Sequence, residues 1–451
     1  MQSRLNEIDL LRGFAVIGMI FSGVLPFNGA LPAWMYHAQV PPPKHVFDPN
    51  IPGLTWVDIV FPFFLFSMGA VIPAVLPFNL ERIGLKNSFL QLLKRFGLLL
   101  LLAVISFNFA PLRNTGAGNM ADFAGITTYV ALFLTFCLFP GLLPSRSLSL
   151  KISGIFLLLV LLLMKNAYWD GLNIRNNDSI LRVLANVYLI GSILWYLSKN
   201  NELLRAGFIF LVVAAYLGDI EMGLIREIWR WNDPWNLVSP YLWKYLILFL
   251  LGTYAGDLLM KREFIFQKPA FQWDLLILTI ALTTGVLTGI FQRNLWFSIL
   301  SVILGISFFY YRQRLKKDDW SGKRSLFYMG ILILLGGLFM EPFQGGAKKD
   351  PSTLSYFFIT AGIAFIWVFS LIHANTGKQA LFLSPVKSLG KNALMAYFIA
   401  GFLIIPLLNL SGLTAILGSS TYLLVLKALL VTGLSAAFVH FLTLKGLFWK
   451  L

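Results

Sequence analysis

Apolar runs, mostly of about 17 to 25 residues, recur along the whole chain with short polar segments between them. As an α-helix, a run of that length crosses a hydrocarbon core of roughly 30 Å. The pattern predicts spans over residues 9–26, 56–79, 89–109, 124–143, 149–164, 180–197, 205–219, 239–259, 273–291, 294–311, 326–340, 354–373, 389–409 and 420–446. The short run 205–219 and the pair within 273–311, parted only by Gln292, Arg293 and Asn294, leave a range of about 11–14 transmembrane helices. The runs do not alternate apolar and polar at every second residue, as the strands of an outer-membrane barrel do. The expected fold is all-α, a polytopic helical membrane protein forming one domain over residues 1–451.

Composition narrows the class. Of 451 residues, 58% are hydrophobic and 12% charged, with a mean hydropathy of +0.75. Soluble domains carry about twice that share of charge, so a water-soluble enzyme, a nucleic-acid binder and a disordered chain are excluded. The single cysteine, Cys137, lies inside an apolar run and permits no disulfide within the chain. The four histidines are scattered at no metal-ligand spacing, so no metal is expected. Residues Met1 to Asp9 are polar, and no small-residue cleavage site follows the first run, which reads as a retained span.

The net charge of +16 belongs to the loops. With a cytoplasmic N-terminus, alternate loops on the inner side carry 24 Lys and Arg against 11 outside. Positive charge is retained on the cytoplasmic side during insertion, which places both termini there. Anionic lipid, not nucleic acid, is the expected partner of these cations. The longest polar segments, 27–55, 165–179, 219–238 and 341–353, then all fall outside, and long ordered loops tend to carry function.

The first of these loops is the richest. It holds His37 and His45, with Pro41, Pro42 and Pro43 stiffening the chain between them. Thr55 fits an N-cap for the second span, and Asp58 would follow in that helix's first turn, where the helix dipole favours a carboxylate. A His37–Asp58 pair, the carboxylate orienting the imidazole, is the functional alternative. Asp9 and Arg12 share a face of the first helix at i,i+3 spacing; they read either as an interfacial ion pair or as a contact for a phosphate-bearing cofactor. His373 and His440 read as packing or loop residues. Glu341, beside Pro342 at the outer end of a span, is a candidate for substrate binding. Arg226, Glu227, Arg230 and Asp233 interleave with Trp229, Trp231 and Trp235, either as an interfacial anchor or as a surface on which a sugar ring stacks.

Several blocks resemble the family of heparan-α-glucosaminide N-acetyltransferase and its bacterial relatives. They are Ile8-Asp9-Leu10-Leu11-Arg12-Gly13, Tyr36-His37-Ala38 and Gly53-Leu54-Thr55-Trp56-Val57-Asp58-Ile59-Val60-Phe61-Pro62, with Lys349-Asp350-Pro351-Ser352-Thr353-Leu354-Ser355-Tyr356 and Leu389-Gly390-Lys391-Asn392 further on. The chain departs from the family pattern in three places. About fifteen residues separate His37 from Gly53, which keeps His45 as a rival; Ser352 stands where the family has Trp; and Asn28 replaces an Asn of the first span only if the loop folds back. The hairpins near 124–164 and 273–311 look additional to the usual core.

The resemblance implies an acyltransferase in a bacterial inner membrane. Acetyl-coenzyme A would arrive from the cytoplasm and an amino sugar would accept the acetyl group on the far side. His37 would serve as general base or transient acetyl carrier beside Asp58. Asn28, Thr55, Ser355 and Asn392 are oxyanion or substrate candidates by side-chain type, and Asp9, Arg12 and Lys391 are candidates for the coenzyme. Self-association is left open. Two other readings compete: O-acylation of a cell-envelope polysaccharide, and a transporter or flippase, for which Pro62, Pro73 and Pro77 in the second span speak.

Overall fold

The computed structural model describes residues 5–110, 118–168, 171–219, 223–260, 272–316, 324–374 and 379–450. Of the cations used to orient the chain, Arg4, Arg113, Lys261, Arg262, Lys268, Lys317, Lys323 and Lys378 lie outside the described residues. The described residues are 77% helical. Among the described residues, nine helices are long and apolar enough to cross a membrane, one of them 50 residues long. This is a multi-pass helical membrane protein.

That long helix, α2 (Val60–Phe109), would reach about 75 Å if straight, more than twice the hydrocarbon thickness. Gly84 interrupts it at φ 78°, a conformation strained for any residue with a Cβ. The two limbs correspond to the separate runs 56–79 and 89–109. They return to the same face of the molecule. Asp58, just before the first limb, bonds His37, while Ser106, near the end of the second, bonds Asp178 at 3.3 Å in a loop tied to residues 234–237.

A central group of helices surrounds this hairpin. α1 (Asn6–Val24) and α5 (Ser179–Ser198) flank it, α8 (Leu246–Met260) crosses it closely, and α12 (Leu354–Ala374) lies deepest, 83% of its span being buried. The α2–α8 contact is one of backbone on backbone: a Cβ on Gly69 would stand 2.0 Å from the Phe249 carbonyl oxygen, and one on Gly252 2.1 Å from that of Phe66. Close approach through small residues supplies the dispersion contacts that join helices where lipid removes the hydrophobic driving force. Around α12 the packing is aromatic, with Phe14 and Phe63 against Trp367 and Phe66 edge-on to Phe365.

α3 (Asn119–Phe136) and α4 (Pro144–Tyr168) form one hairpin, with α4 at its periphery, only 11% buried. A two-residue antiparallel pair, Cys137–Leu138 with Phe448–Trp449, ties the end of α3 to the C-terminal segment. α6 (Glu202–Gly218) and the short α7 (Leu224–Trp229) lead toward α8. α9 (Trp273–Phe291) and α10 (Leu295–Lys316) form a second hairpin, docked on α12 through Trp367 Nε1, which donates to Thr283 Oγ1 at 3.1 Å. α11 (Arg324–Met340) packs along α12.

The run read as a single span at 389–409 takes in the end of a short helix and then continues as the span Ala393–Leu410. After α13 (Gln379–Phe382), α14 (Ser384–Lys391) stops at Asn392, α15 (Ala393–Ile399) passes into a π-helical stretch over Ala400–Ile404, and α16 (Ile405–Leu410) follows. α17 (Leu413–Leu417) leads into α18 (Thr421–Leu444).

The four long polar loops meet on one face. Gly53 N–H donates to Ala347 O at 2.9 Å, Arg175 Nε to Pro234 O at 3.0 Å and Lys244 Nζ to Pro351 O at 2.8 Å. The functional residues read from the sequence therefore divide between this loop face and the opposite one.

Candidate functional site

On the loop face, the chain leaving α1 folds back on itself. The Tyr36 hydroxyl donates to Pro26 O at 2.6 Å, and the buried ring packs edge-on against His45 at 4.6 Å between ring centres. This presents the next residue, His37, to a turn spanning Thr55 to Asp58. Asp58 is fully buried, and its Oδ2 accepts the Thr55 N–H at 2.8 Å and the Ala38 N–H at 3.3 Å. Its Oδ1 lies 2.7 Å from His37 Nδ1. Burial pushes the Asp58 carboxyl up, but the His37 hydrogen bond, the charges of His37 and Lys349 and the Thr55 N–H outweigh it, and the pKa is lowered. An ionised carboxylate only accepts, so Nδ1 carries a proton, and whenever the ring is neutral Nε2 presents its lone pair.

Lys349 Nζ stands 3.1 Å from both ring nitrogens. Equal distances to the two nitrogens set Nζ over the ring face, off the in-plane lone pair of Nε2. Burial lowers the Lys349 pKa against the opposing pull of Asp58 and Asp350. Tyr356, wholly buried, donates its hydroxyl to the Asp58 carbonyl at 3.2 Å. His37 keeps 34% of its side chain accessible, so the cluster opens to the exterior at the imidazole.

The loop bearing Lys349 is tied at several points. Arg293, in the turn between α9 and α10, pairs through Nη1 with Glu341 Oε1. The Gly346 N–H donates to Glu341 O at 2.9 Å, and Gly346 has a φ of 106°. A Cβ there would stand 2.3 Å from Pro52 Cβ and 2.6 Å from Arg293 Nη1. Further along, Ser352 Oγ donates to Lys349 O at 2.7 Å and lies 2.9 Å from the Tyr245 hydroxyl.

The structure brings His37 and Asp58 together and sets several other sequence candidates apart. Thr55 is not the N-cap of α2, which begins at Val60 after Ile59. Its hydroxyl donates instead to Tyr36 O at 2.6 Å, and Asp58 lies in a turn before the helix, where its carboxylate accepts the Thr55 N–H of that turn. His45 Nε2 accepts the Gly29 N–H at 3.1 Å, and its ring sits between Phe27 and Tyr36, so it holds the loop shape. Asn28 donates to Thr421 Oγ1 at 3.3 Å, at the start of α18. Glu341 is taken up by Arg293, and Ser355 by Thr353, whose hydroxyl lies 2.9 Å away. Asn392 is on the opposite face, where its Nδ2 bonds Thr443 Oγ1 at 2.8 Å and Leu447 O at 3.0 Å.

Asp9 and Arg12 also lie on that opposite face, 4.0 Å apart and packed against α14, the helix that ends at Lys391. Arg12 Nη1 donates to Gly390 O at 3.3 Å, while Nε and Nη2 reach the hydroxyl and carbonyl of Ser67, each at 3.4 Å. Gly390 packs so closely on α1 that a Cβ would fall 1.7 Å from Asp9 O. Arg12 thus joins α1, α2 and α14. His440 Nδ1 lies 2.9 Å from Ser388 Oγ one turn away. Among the described residues, no group of three or more His, Cys, Asp or Glu side chains gathers as a metal ion requires.

Sequence reasoning missed Lys349 and Tyr356 as site residues. Both stand in the block from Lys349 to Tyr356 that carries the family resemblance, but by sequence alone Lys349 is one cation among many in the loops. Residues 4–259 match the DUF5009 family, described as a domain of unknown function. The chain belongs to that family. The match covers His37 and Asp58 and ends before the loop that supplies Lys349. No curated protein matches the chain.

Proposed function

We propose that this DUF5009 protein is a membrane-embedded acyltransferase that moves an acetyl group from acetyl-coenzyme A to an extracytoplasmic amino sugar. The observation that carries the reading is the buried Asp58 carboxylate on His37 Nδ1, which leaves Nε2 as a proton acceptor at an accessible position beside the Lys349 ammonium. The sequence resemblance to the N-acetyltransferase family points the same way.

In the proposed reaction the acceptor amine attacks the thioester carbonyl. A C–N bond forms, the C–S bond breaks, the amine proton passes to His37 Nε2 and then to the departing thiolate. Asp58 orients the ring and stabilises the imidazolium. Lys349 lies within reach of an oxyanion developing beside Nε2 and leaves the imidazole to meet it. In a variant route Nε2 takes the acetyl group first and hands it on. On the other face, Arg12, held by Ser67 and Gly390, and Lys391 of α14 are the candidates for the phosphates of coenzyme A. The charge distribution in the loops supports cytoplasmic termini, and the resemblance supports the bacterial inner membrane.

The test is label transfer from acetyl-coenzyme A to a panel of amino sugars by the purified protein, comparing wild type, His37→Ala and His45→Ala. Transfer lost in His37→Ala and kept in His45→Ala is the expected result. Transfer that survives His37→Ala sinks the assignment. The π-helical stretch Ala400–Ile404 inside the span Ala393–Leu410 favours transport as the second reading; substrate uptake into vesicles without coenzyme A binding would establish it.

A further inference from the structure

Lys349 reaches the imidazole from a turn that is shut at its base. The Lys348 N–H donates to Thr353 Oγ1 and the Thr353 N–H to Lys348 O, each at 3.0 Å. Within that turn stands Ser352, 1% exposed, at a φ of 68°. Glycine takes such a conformation freely and a residue with a Cβ does not. Ser352 is also one of the positions at which the chain departs from the family pattern. What serine has and glycine lacks is a hydroxyl, and here it is used twice. Its proton goes to Lys349 O at 2.7 Å. Toward the Tyr245 hydroxyl, 2.9 Å away, Ser352 Oγ can then only accept, so Tyr245 is the donor.

Tyr245 closes the turn Pro240–Tyr245 ahead of α8. Two rings hold its ring edge-on. Phe61, three residues past Asp58, lies at 5.6 Å between ring centres, and Phe357, next to Tyr356, at 5.3 Å. The neighbouring Lys244, 2% exposed, adds a bond from Nζ to Pro351 O at 2.8 Å. The Tyr245 hydroxyl is therefore fixed against both the helix that follows Asp58 and the helix that carries Tyr356. Through Ser352 it passes that position to the backbone of Lys349. A turn that served only to connect α11 with α12 would take glycine at 352 and need no bridge. Resting on the acyltransferase reading, we infer that Ser352 and Tyr245 are positioning residues, which hold the Lys349 ammonium over the His37 imidazole for the transfer step.

The experiment uses the full chain in nanodiscs, with Ser352→Ala, Ser352→Gly and Tyr245→Phe made in the wild type and again on Lys349→Met. Each of the three should lower kcat for label transfer by about 3- to 10-fold, the contribution of one hydrogen bond, with little change in KM. On Lys349→Met none should lower it further, since the ammonium they place is gone. A loss of the same size on that background overturns the inference. So does a kcat that follows the unfolding temperature, with Ser352→Gly keeping the rate that Ser352→Ala loses, because a turn serving the fold alone gains from glycine at this φ. A second readout needs no turnover. Under reductive methylation with formaldehyde, the modification of Lys349 relative to Lys348 should rise by about 3- to 10-fold in the three variants as the turn opens; an unchanged ratio also overturns the inference. If the wild type transfers no acetyl group, the acyltransferase reading has failed, and the methylation ratio decides by itself whether Tyr245 and Ser352 hold Lys349 in place.

Discussion

Each residue of the cluster owes its chemistry to its neighbours. Asp58 stays ionised in a buried place because two backbone N–H groups and an imidazole N–H converge on it. Its lowered pKa sets a sign. The stability it contributes is complete above the ordinary value of 3.8 and is lost as pH falls through the lower folded-state value. Thermal unfolding in detergent should therefore show a steep acid limb that flattens in Asp58→Asn. That variant should also lose about 10²- to 10⁴-fold in kcat, the range for a displaced general base; an unchanged kcat would remove Asp58 from the proposed mechanism. Lys349 gives a slope of the same sign in the alkaline range. Its pKa is held below 10.5, so between the two values the unfolded chain binds more protons and stability rises with pH. Lys349→Met should abolish that alkaline rise, which the same unfolding series measures.

At the scale of elements, the cluster exists because a loop carried by α11 and α12 is fastened to the loop that follows α1. The hairpin α9–α10, which the sequence made look like an addition, supplies one of the fasteners in Arg293. Gly346→Ala should put a methyl group into Pro52 and Arg293 at a backbone angle that already disfavours it, a strain of about 1–3 kcal/mol. A lower unfolding temperature and weaker transfer, with intact insertion and expression, are expected. A variant as stable and active as wild type would show that the loops are not clamped at this point. The contact between α2 and α8 has less room still, since Gly252 faces the Phe66 carbonyl at backbone distance.

For the whole molecule, the charge bias of the loops predicts an extracytoplasmic His37 face. Cys137 is buried, so single cysteines at exposed positions can be read against a quiet background. Val46, 65% exposed on the His37 face, and Leu381, 76% exposed after the far end of α12, make the pair. In intact cells an impermeant maleimide should label Val46→Cys at once and Leu381→Cys only after permeabilisation. The reverse pattern would invert the orientation and place the acceptor in the cytoplasm.

The sequence by itself determined the helical membrane class and where the apolar helices lie, because both depend on run length against a fixed hydrocarbon thickness. It also pointed to His37 and Asp58, which sit 21 residues apart in a loop short enough to bring them together. Tertiary structure decided the rest. Lys349 is 312 positions from His37, and no local pattern records that a buried ammonium will stand over a particular imidazole. The same holds for the candidates that fell away. Asn392 and Asn28 have the side chains an oxyanion would need, but amides bind whatever polar group packing places beside them. Here those groups are the end of α18 for one and its beginning for the other.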